Sequence, residues 1–333
     1  MTRLSVLDLC PVPQGSTPSQ ALANTLTLAQ ACEAAGYQRY WLAEHHNMMG
    51  IASAATSVVI GHVAAGTKTI RVGAGGIMLT NHAPLVIAEQ FGTLAALFPG
   101  RIDLGVGRAP GTDQITAHAL RRNLNQNIDE FPQDVMELMA YFAEPVPGQK
   151  IRAVPGAGQD VPVWILGSSL YGAQLAAHFG LPYAFASHFA PAHMEQAAAV
   201  YRRSFQSSAR LAKPHVMLAL NVFAADTDSE ARTLYSSLLQ AFINLRLGRP
   251  AQLPPPVEGF QDNLDPGTIA ALNQTLSCSV VGGPDTVREG IAAFIARTGA
   301  DEVMITGQIF DPAARIKSFQ IAADVHHAQR MAA

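Results

Sequence analysis

The residues whose types could do chemistry appear first in the stretch YWLAEHHNMMGIAS, residues 40–53. An apolar run there breaks into Glu44-His45-His46, which could be metal ligands, an acid–base group or the polar end of a strand. Successive side chains on an extended chain point to opposite sides, so these three cannot all face one ion. None of the 11 histidines stands in an H-E-x-x-H or equivalent spacing. The pattern therefore disfavours a metal site and leaves open a structural role or an acid–base role, for which histidine titrates near neutrality.

A second candidate is the turn in WILGSSLYGAQLAAHFG, residues 164–180. An apolar strand followed by Ser168-Ser169 and an alanine-rich helix places unpaired amides and hydroxyls at a helix N-terminus. This arrangement can bind a phosphate group through backbone donors and the helix dipole. The alternative is that Ser168 or Ser169 only caps the helix.

Arg108, in RIDLGVGRAPG (residues 101–111), could supply the charge that the serines lack. It follows a predicted strand and is flanked by glycines that permit a close approach. A guanidinium stays charged and can donate two hydrogen bonds to one phosphate group. Because its strand should lie beside the strand that precedes Ser168, we expect both to meet one phosphate; a purely structural arginine is the alternative.

The pair Gly75-Gly76 lies late in the apolar strand VGAGGIML. Glycine within a strand indicates either a bulge or a close approach of the backbone to something else. A flat aromatic ring lying against the backbone is one such partner, and the residues alone do not decide between the two.

The elements that must position these residues alternate between short apolar strands and longer helices, in close to eight β–α units. Such alternation predicts a parallel sheet, either an open dinucleotide-binding sheet or a closed barrel. The first loop, CPVPQGS, lacks the G-x-G-x-x-G of the open form. We therefore predict one (β/α)8 barrel domain over residues 1–333, with an insertion near residues 248–275. The polar strand-end residues, Asp8, Asn81 and His82 included, should then converge at the carboxyl ends of the strands.

Composition narrows the class of protein. The chain has 333 residues, 22 basic and 25 acidic, for a net charge of −3, which gives no basic face for nucleic acid. No segment reaches the ~18 apolar residues of a membrane span, and the N-terminus does not resemble a signal peptide. Three scattered cysteines suggest buried thiols rather than a zinc site or disulfides. We expect a soluble, cytoplasmic enzyme.

Taken together, these motifs resemble the bacterial-luciferase-like family of flavin-dependent monooxygenases, in particular its short single-chain bacterial branch. The resemblance extends over essentially the whole chain and is carried by residues 41–111 and 162–191. Its motifs are the Glu-His-His strand end, the glycine pair, the GR-x-x-x-G-x-x-R sequence ending at Arg108, and the serine turn.

The resemblance implies reduced FMN, or the deazaflavin F420 of a sister branch, and usually a homodimer. The implied phosphate-binding residues are Arg108, Ser168, Ser169, Tyr171 and Gly172. Gly75-Gly76 matches the place where relatives carry a non-proline cis peptide beneath the flavin ring. Glu44 would lie near the flavin, His45 matches a histidine important for oxygen chemistry, and His46 and Glu89 match subunit-interface positions.

The expected activity is oxygenation of a small organic substrate with O2, using reduced FMN from a separate flavin reductase. His45, with Glu44 and His46, would form the catalytic group. Apolar side chains at Trp41, Met48, Met78 and Phe185, with the 248–267 loop, would close the pocket.

One departure and three rivals remain. Luciferase carries a reactive cysteine where this chain has Gly107, so light emission is not implied. The rivals are an F420-dependent dehydrogenase, a non-catalytic flavin-binding partner subunit and a metal-dependent hydrolase.

Overall fold

The computed structural model describes residues 2–109, 114–120 and 130–332. Within these residues, nine parallel strands form one sheet in the order β6-β5-β4-β3-β2-β1-β9-β7-β8, and β6 also pairs with β7. All strands except β8 therefore close a barrel of eight, which confirms the predicted (β/α)8 fold. The strands are β1 (Arg3–Asp8), β2 (Arg39–Leu42), β3 (Arg71–Met78), β4 (Ile102–Gly107), β5 (Val163–Gly167), β6 (Tyr183–Phe185), β7 (Val216–Ala224), β8 (Ser279–Gly282) and β9 (Glu302–Thr306).

The ninth strand lies outside the barrel. β9 pairs with residues 217–221 of β7, whereas β8 pairs with residues 221–224, the carboxyl end of the same strand. β7 is long enough, at nine residues, to change partner part way along. This leaves the predicted insertion to cross the carboxyl face of the barrel between β7 and β8.

The helices cover the outside of the barrel in the described part of the chain. None of these helices combines the length and apolar character needed to cross a membrane. Between β4 and β5 the described residues form α4 and α5, and residues 110–113 and 121–129 lie outside the described residues. The helices are α1 (Pro18–Ala34), α2 (Thr56–Gly66), α3 (Pro84–Leu97), α4 (Gln114–Leu120), α5 (Phe131–Phe142), α6 (Leu170–Phe179), α7 (Met194–Ser204), α8 (Asp228–Arg246), α9 (Pro266–Thr275), α10 (Pro284–Thr298) and α11 (Pro312–Ala332).

The amino end of the barrel is filled by ion pairs. The Arg39 guanidinium lies 2.7 Å from Asp103 and 3.0 Å from Glu302, and Arg71 lies 2.6 Å from Asp103. Above them, the rings of Trp41 and Trp164 pack edge to face at 5.2 Å. Side chains thus fill the amino end of the barrel, and open space is left at the carboxyl ends of the strands.

Asp8 does not reach that open end, contrary to prediction. It is fully buried on the helix side of β1, where it accepts hydrogen bonds from Thr25, Tyr40 and the Cys10 amide and pairs with Arg315 at 2.8 Å. Burial alone would raise the pKa of Asp8, but Arg315 and these hydrogen bonds lower it instead. Asp8 therefore ties β1 to α1 and α11.

Candidate active site

Two adjoining cavities open at the carboxyl ends of the barrel strands. The first, here the arginine cavity, has a volume of about 270 Å³. The second, here the apolar cavity, has a volume of about 410 Å³. Four residues line both: Leu9, His45, His188 and Phe189. The candidate site residues that line the arginine cavity are His45, Gly75, Arg108, Ser168, Ser169, Tyr171 and Gly172.

Arg108 and the serine turn lie at the same end of the arginine cavity. Arg108 directly follows β4, and the turn follows β5, which pairs with β4. The Arg108 guanidinium carbon stands 4.2 Å from the centre of the Tyr171 ring, within cation–π range. Stacking on Tyr171 therefore orients the guanidinium toward the turn, as the adjacency of the two strands predicts.

The turn leads into the N-terminus of α6, a helix of ten residues. Ser169 has the extended conformation of an N-cap residue, but its side chain makes no capping hydrogen bond. Ser168 and Ser169 are both exposed to the cavity mouth, and Tyr183 fixes the turn by donating to the Ser169 carbonyl at 3.1 Å. Helix-terminal amides, two hydroxyls and one guanidinium form a donor set suited to a phosphate group.

Gly172 lies where the N-terminal end of α6 meets the end of β5. A Cβ there would lie 3.4 Å from the Tyr183 ring and 3.5 Å from the Gly167 Cα, which are ordinary van der Waals distances. Close packing of the helix therefore does not require a glycine at this position.

The peptide bond between Gly75 and Gly76 is cis, as the resemblance implied. The register of β3 against β4 shifts between Gly75 and Ile77, which is the bulge that the paired glycines suggested. A Cβ on Gly76 would stand 2.7 Å from the Gly105 carbonyl oxygen. Gly75 lines the arginine cavity and Gly76 does not, so packing within the sheet explains the second glycine.

The side chains of Glu44, His45 and His46, which follow β2, lie in different surroundings. His45 faces both cavities, whereas Glu44 is 1% exposed and lies beneath the loop that follows β3. The His45 Nδ1 is buried and hydrogen-bonds to none of the described residues. Burial lowers the pKa of His45, partly offset by Glu44, so the imidazole is neutral at pH 7.

Glu44 organises a group of side chains that we call the Glu44 cluster: Glu44, His46, Asn81, His82 and the Met78 amide. One carboxylate oxygen lies 2.7 Å from the His46 Nε2 and 2.9 Å from the His82 Nε2. The other accepts from the Met78 amide at 2.9 Å. Burial would raise the pKa of Glu44, but the interactions with His82, His46 and this amide lower it. Glu44 thus fixes the end of β3, next to Gly75.

The same cluster has a donor set that could hold a metal ion. One atom each from Glu44, His46 and His82 lie within 4.8 Å of one another. Both imidazoles hydrogen-bond to the carboxylate, so the arrangement is accounted for without an ion. A search for spacing motifs could not find this set, because His82 is on a different loop from Glu44.

His188 was missed by the sequence reasoning. It lies three residues after β6, so the rule about strand ends could have found it. Its Nδ1 is buried and has no hydrogen-bond partner in the described part of the chain. Burial, with a smaller effect from His45, lowers the pKa of His188 to about 3, so this imidazole is also neutral at pH 7.

The predicted apolar lining is divided among three spaces. Met78 lines the arginine cavity and Met48 the apolar cavity. Trp41 and Phe185 line a void of about 40 Å³ deeper in the barrel.

The predicted insertion contributes a wall of the apolar cavity through Pro250, Ala251 and Leu253. Leu253 is held to the loop after β1 by backbone hydrogen bonds with Val12 and Gln14 of 2.9 and 2.8 Å. The insertion also contains α9, so only its first part is the loop that was expected.

Comparisons with known proteins point to one family of monooxygenases. A family model described as luciferase-like monooxygenase matches residues 2–302. A luciferase-like monooxygenase of Escherichia coli (strain K12) is 54% identical over 321 residues, 96% of each chain. An N-acetyl-S-alkylcysteine monooxygenase of Bacillus subtilis (strain 168) is 36% identical over 254 residues, 75% of each chain.

Solved structures agree with this result. The crystal structure of apo-MsnO8 is 33% identical, with a TM-score of 0.92 over 98% of this chain and 99% of that one. The oxygenating constituent of 3,6-diketocamphane monooxygenase from Pseudomonas putida, in complex with FMN, has a TM-score of 0.73 over 97% and 96% of the two chains. At 18% identity, the second likeness is one of fold.

Proposed function

Because this chain belongs to the luciferase-like monooxygenase family, we propose that it is a monooxygenase that binds reduced FMN in the arginine cavity and oxygenates a small organic substrate with O2. One observation carries the proposal. The phosphate-binding donor set around Arg108 and the neutral His45 lie at the same cavity, beside Gly75.

The residues present fit the flavin. Arg108, the Ser168 and Ser169 hydroxyls and the first amides of α6 would hold the phosphate group. Gly75 would lie against the ring system, and Met78 supplies apolar surface beside it. The unpartnered Nδ1 of His45 leaves one ring nitrogen available to a bound molecule.

Reduced flavin, when bound, supplies the electrons that activate O2. The protein's own contribution is to bind, to orient and to exclude water. His45, whose pKa is lowered by burial, would accept a proton or donate a hydrogen bond at the reacting end of the cavity. Glu44 would act as a positioning residue, since its contacts are with Met78 and the loop rather than with the cavity.

FMN fits better than F420. Among the described residues that line the arginine cavity, Arg108 is the cation, and one guanidinium with one helix terminus suits a single phosphate group. F420 carries a longer anionic tail, which would favour additional basic residues. No dinucleotide fingerprint follows the first strand, so we further propose that a separate reductase delivers the reduced flavin.

Anaerobic titration with FMN, reduced FMN and F420 tests the cofactor. We expect the reduced FMN complex to be tight, and Arg108→Ala to weaken it about 100-fold or more, because two charge-assisted hydrogen bonds are lost. Arg232→Ala, at an exposed position on α8, is the matched control and should leave affinity unchanged. Tight binding of F420 alone would refute the proposal.

His45→Ala tests the assignment of roles. We expect it to bind reduced FMN as the wild type does, but to release more hydrogen peroxide and less oxygenated product. Loss of flavin binding with normal coupling would show that His45 is a binding residue instead.

A further inference from the structure

The apolar cavity has the size of a small-molecule site. Its walls come from β1, the loop after β2, α8 and the insertion, and they include Leu9, Ile51, Leu238, Phe242, Leu245 and Leu253. Its volume of about 410 Å³ lies in the usual range for organic ligands.

Three residues that line this cavity carry a buried polar atom without a partner among the described residues: His45, His188 and Thr306. The Thr306 Oγ1 and the His188 Nδ1 are both buried, and neither hydrogen-bonds to any of the described residues. A buried polar group without a partner is costly, which makes these atoms candidates for a hydrogen bond to a bound molecule. Thr306 is itself 3% exposed.

The Thr306 and His188 atoms belong to neighbouring parts of the fold. Thr306 ends β9 and is the register partner of Asn221 on β7. The Asn221 side-chain amide donates to the His188 carbonyl at 2.6 Å and also contacts Cys278 and Ser279. Its donors are thus committed to the protein, which leaves the Thr306 hydroxyl and the His188 ring to meet a ligand.

The lining of the apolar cavity is poor in charged side chains. Within the described ranges, its lining contains no Asp, Glu, Lys or Arg. Of the three histidines in this lining, His46 hydrogen-bonds to the Glu44 carboxylate at 2.7 Å, and burial lowers the pKa of His188. An anionic substrate would lose its hydration here without gaining a counter-charge.

We propose that the apolar cavity selects a neutral, mainly apolar substrate, oriented by one polar group that hydrogen-bonds to Thr306 and His188. This proposal rests on the proposed function, because it places the substrate across His45 from the flavin.

Matched neutral and anionic probes test the charge preference. Calorimetric titrations of the FMN-saturated and FMN-free protein would use 2-naphthol against 2-naphthoate, and 1-decanol against decanoate. We expect each neutral probe to bind at least 10-fold more tightly than its anionic partner. Anions that bind within 3-fold of the neutral probes would overturn the proposal, as would neutral probes that all fail to bind below about 1 mM.

Thr306→Val tests the polar contact, since it removes the hydroxyl and keeps the shape of the side chain. We expect 2-naphthol to bind about 3- to 10-fold more weakly and naphthalene to bind unchanged. Thr233→Val, at a partly buried position on α8 outside the apolar cavity, is the control. An equal loss for both ligands would mean that Thr306 acts only through packing and would overturn the orienting role.

Ala241→Trp tests the location, because Ala241 lines the apolar cavity alone. The added indole should abolish binding of the neutral probes while FMN affinity is unchanged. Competition between FMN and 2-naphthol would assign the cavity to the flavin site and overturn the proposal. Failure of FMN to bind would refute the proposed function, and the FMN-free titrations would still decide the cavity's preference.

Discussion

Replacing Glu44 with glutamine removes the charge at the centre of the Glu44 cluster while keeping the size of the side chain. The carboxylate now accepts three close hydrogen bonds, from His46, His82 and the Met78 amide, at 2.7, 2.9 and 2.9 Å. A glutamine has one acceptor oxygen in place of two, and its amide nitrogen must face at least one of these donors. Glu44→Gln should therefore loosen the end of β3 that carries Gly75.

The magnitude follows from the kind of bond lost. A hydrogen bond to a charged group contributes about 1.5–3 kcal/mol and a neutral one about 0.5–1.5 kcal/mol. Replacing three hydrogen bonds to a charged group with hydrogen bonds to a neutral one would cost about 3 kcal/mol. The His46 and His82 side chains are 16% and 29% exposed, and this partial exposure reduces the cost to about 2–3 kcal/mol. With an unfolding entropy of about 2.1 cal/mol/K per residue, Tm should fall by roughly 3–4 °C.

Thermal unfolding at pH 7, followed by circular dichroism, measures this effect, and Glu289→Gln at an exposed position (77% exposed side chain) is the control. The pKa of Glu44 is lowered in the folded state, so its stabilisation is present above the unfolded value of about 4.3 and is lost as the pH falls through the folded value. The difference between wild type and variant should accordingly shrink below pH 4 or so. A Glu44→Gln protein with unchanged Tm and unchanged flavin affinity would refute the positioning role.

Asp8→Asn leaves Arg315 buried without its counter-charge, and we expect a loss of about 3–5 kcal/mol in urea unfolding, partly recovered in Asp8→Asn/Arg315→Met; equal losses in the single and double variants would contradict the pairing. The pKa of His188 is about 3, so the stability gained from its neutral form is present above about pH 6.5 and declines on acidification. Wild type should therefore lose up to about 2 kcal/mol more than His188→Gln between pH 6.5 and 5, and parallel urea midpoints would contradict this. All three thiols are buried and burial raises the pKa of Cys10 to about 12, so a thiol reagent at pH 8 should label the native protein far more slowly than the unfolded protein; rapid native labelling would show that a cysteine is accessible.

The sequence predicted correctly those residue positions that follow from the order of the strands in the barrel. Parallel strands in a barrel end at one face, so Arg108 and Ser168 could be assigned to a common site from their positions after adjacent strands. The rule does not say which way a side chain points at a strand end. Asp8 also ends a strand, but alternation along β1 directs it to the helices, where Arg315 from the far end of the chain neutralises it.

Two features could not be predicted from local sequence patterns. The Glu44 cluster joins the loops after β2 and β3, and its geometry depends on how these loops pack rather than on spacing. β8 is a run of four residues whose composition suits either a barrel strand or an outer one. β8 can pair outside the barrel only because β7 is longer than β9. β9 pairs with residues 217–221 of β7, which leaves residues 221–224 to pair with β8.

The two histidines explain why the site divides into two cavities with different chemistry. His45 and His188 line both spaces, together with Leu9 and Phe189, so both rings lie at the boundary between the two cavities. A protonated imidazole here would attract anions to the boundary and compete with Arg108 for the phosphate group. Burial prevents this by lowering the pKa of both rings. Under the proposed function, the positive charge of Arg108 would direct the anionic end of the flavin to the arginine cavity and leave the apolar cavity to an uncharged molecule.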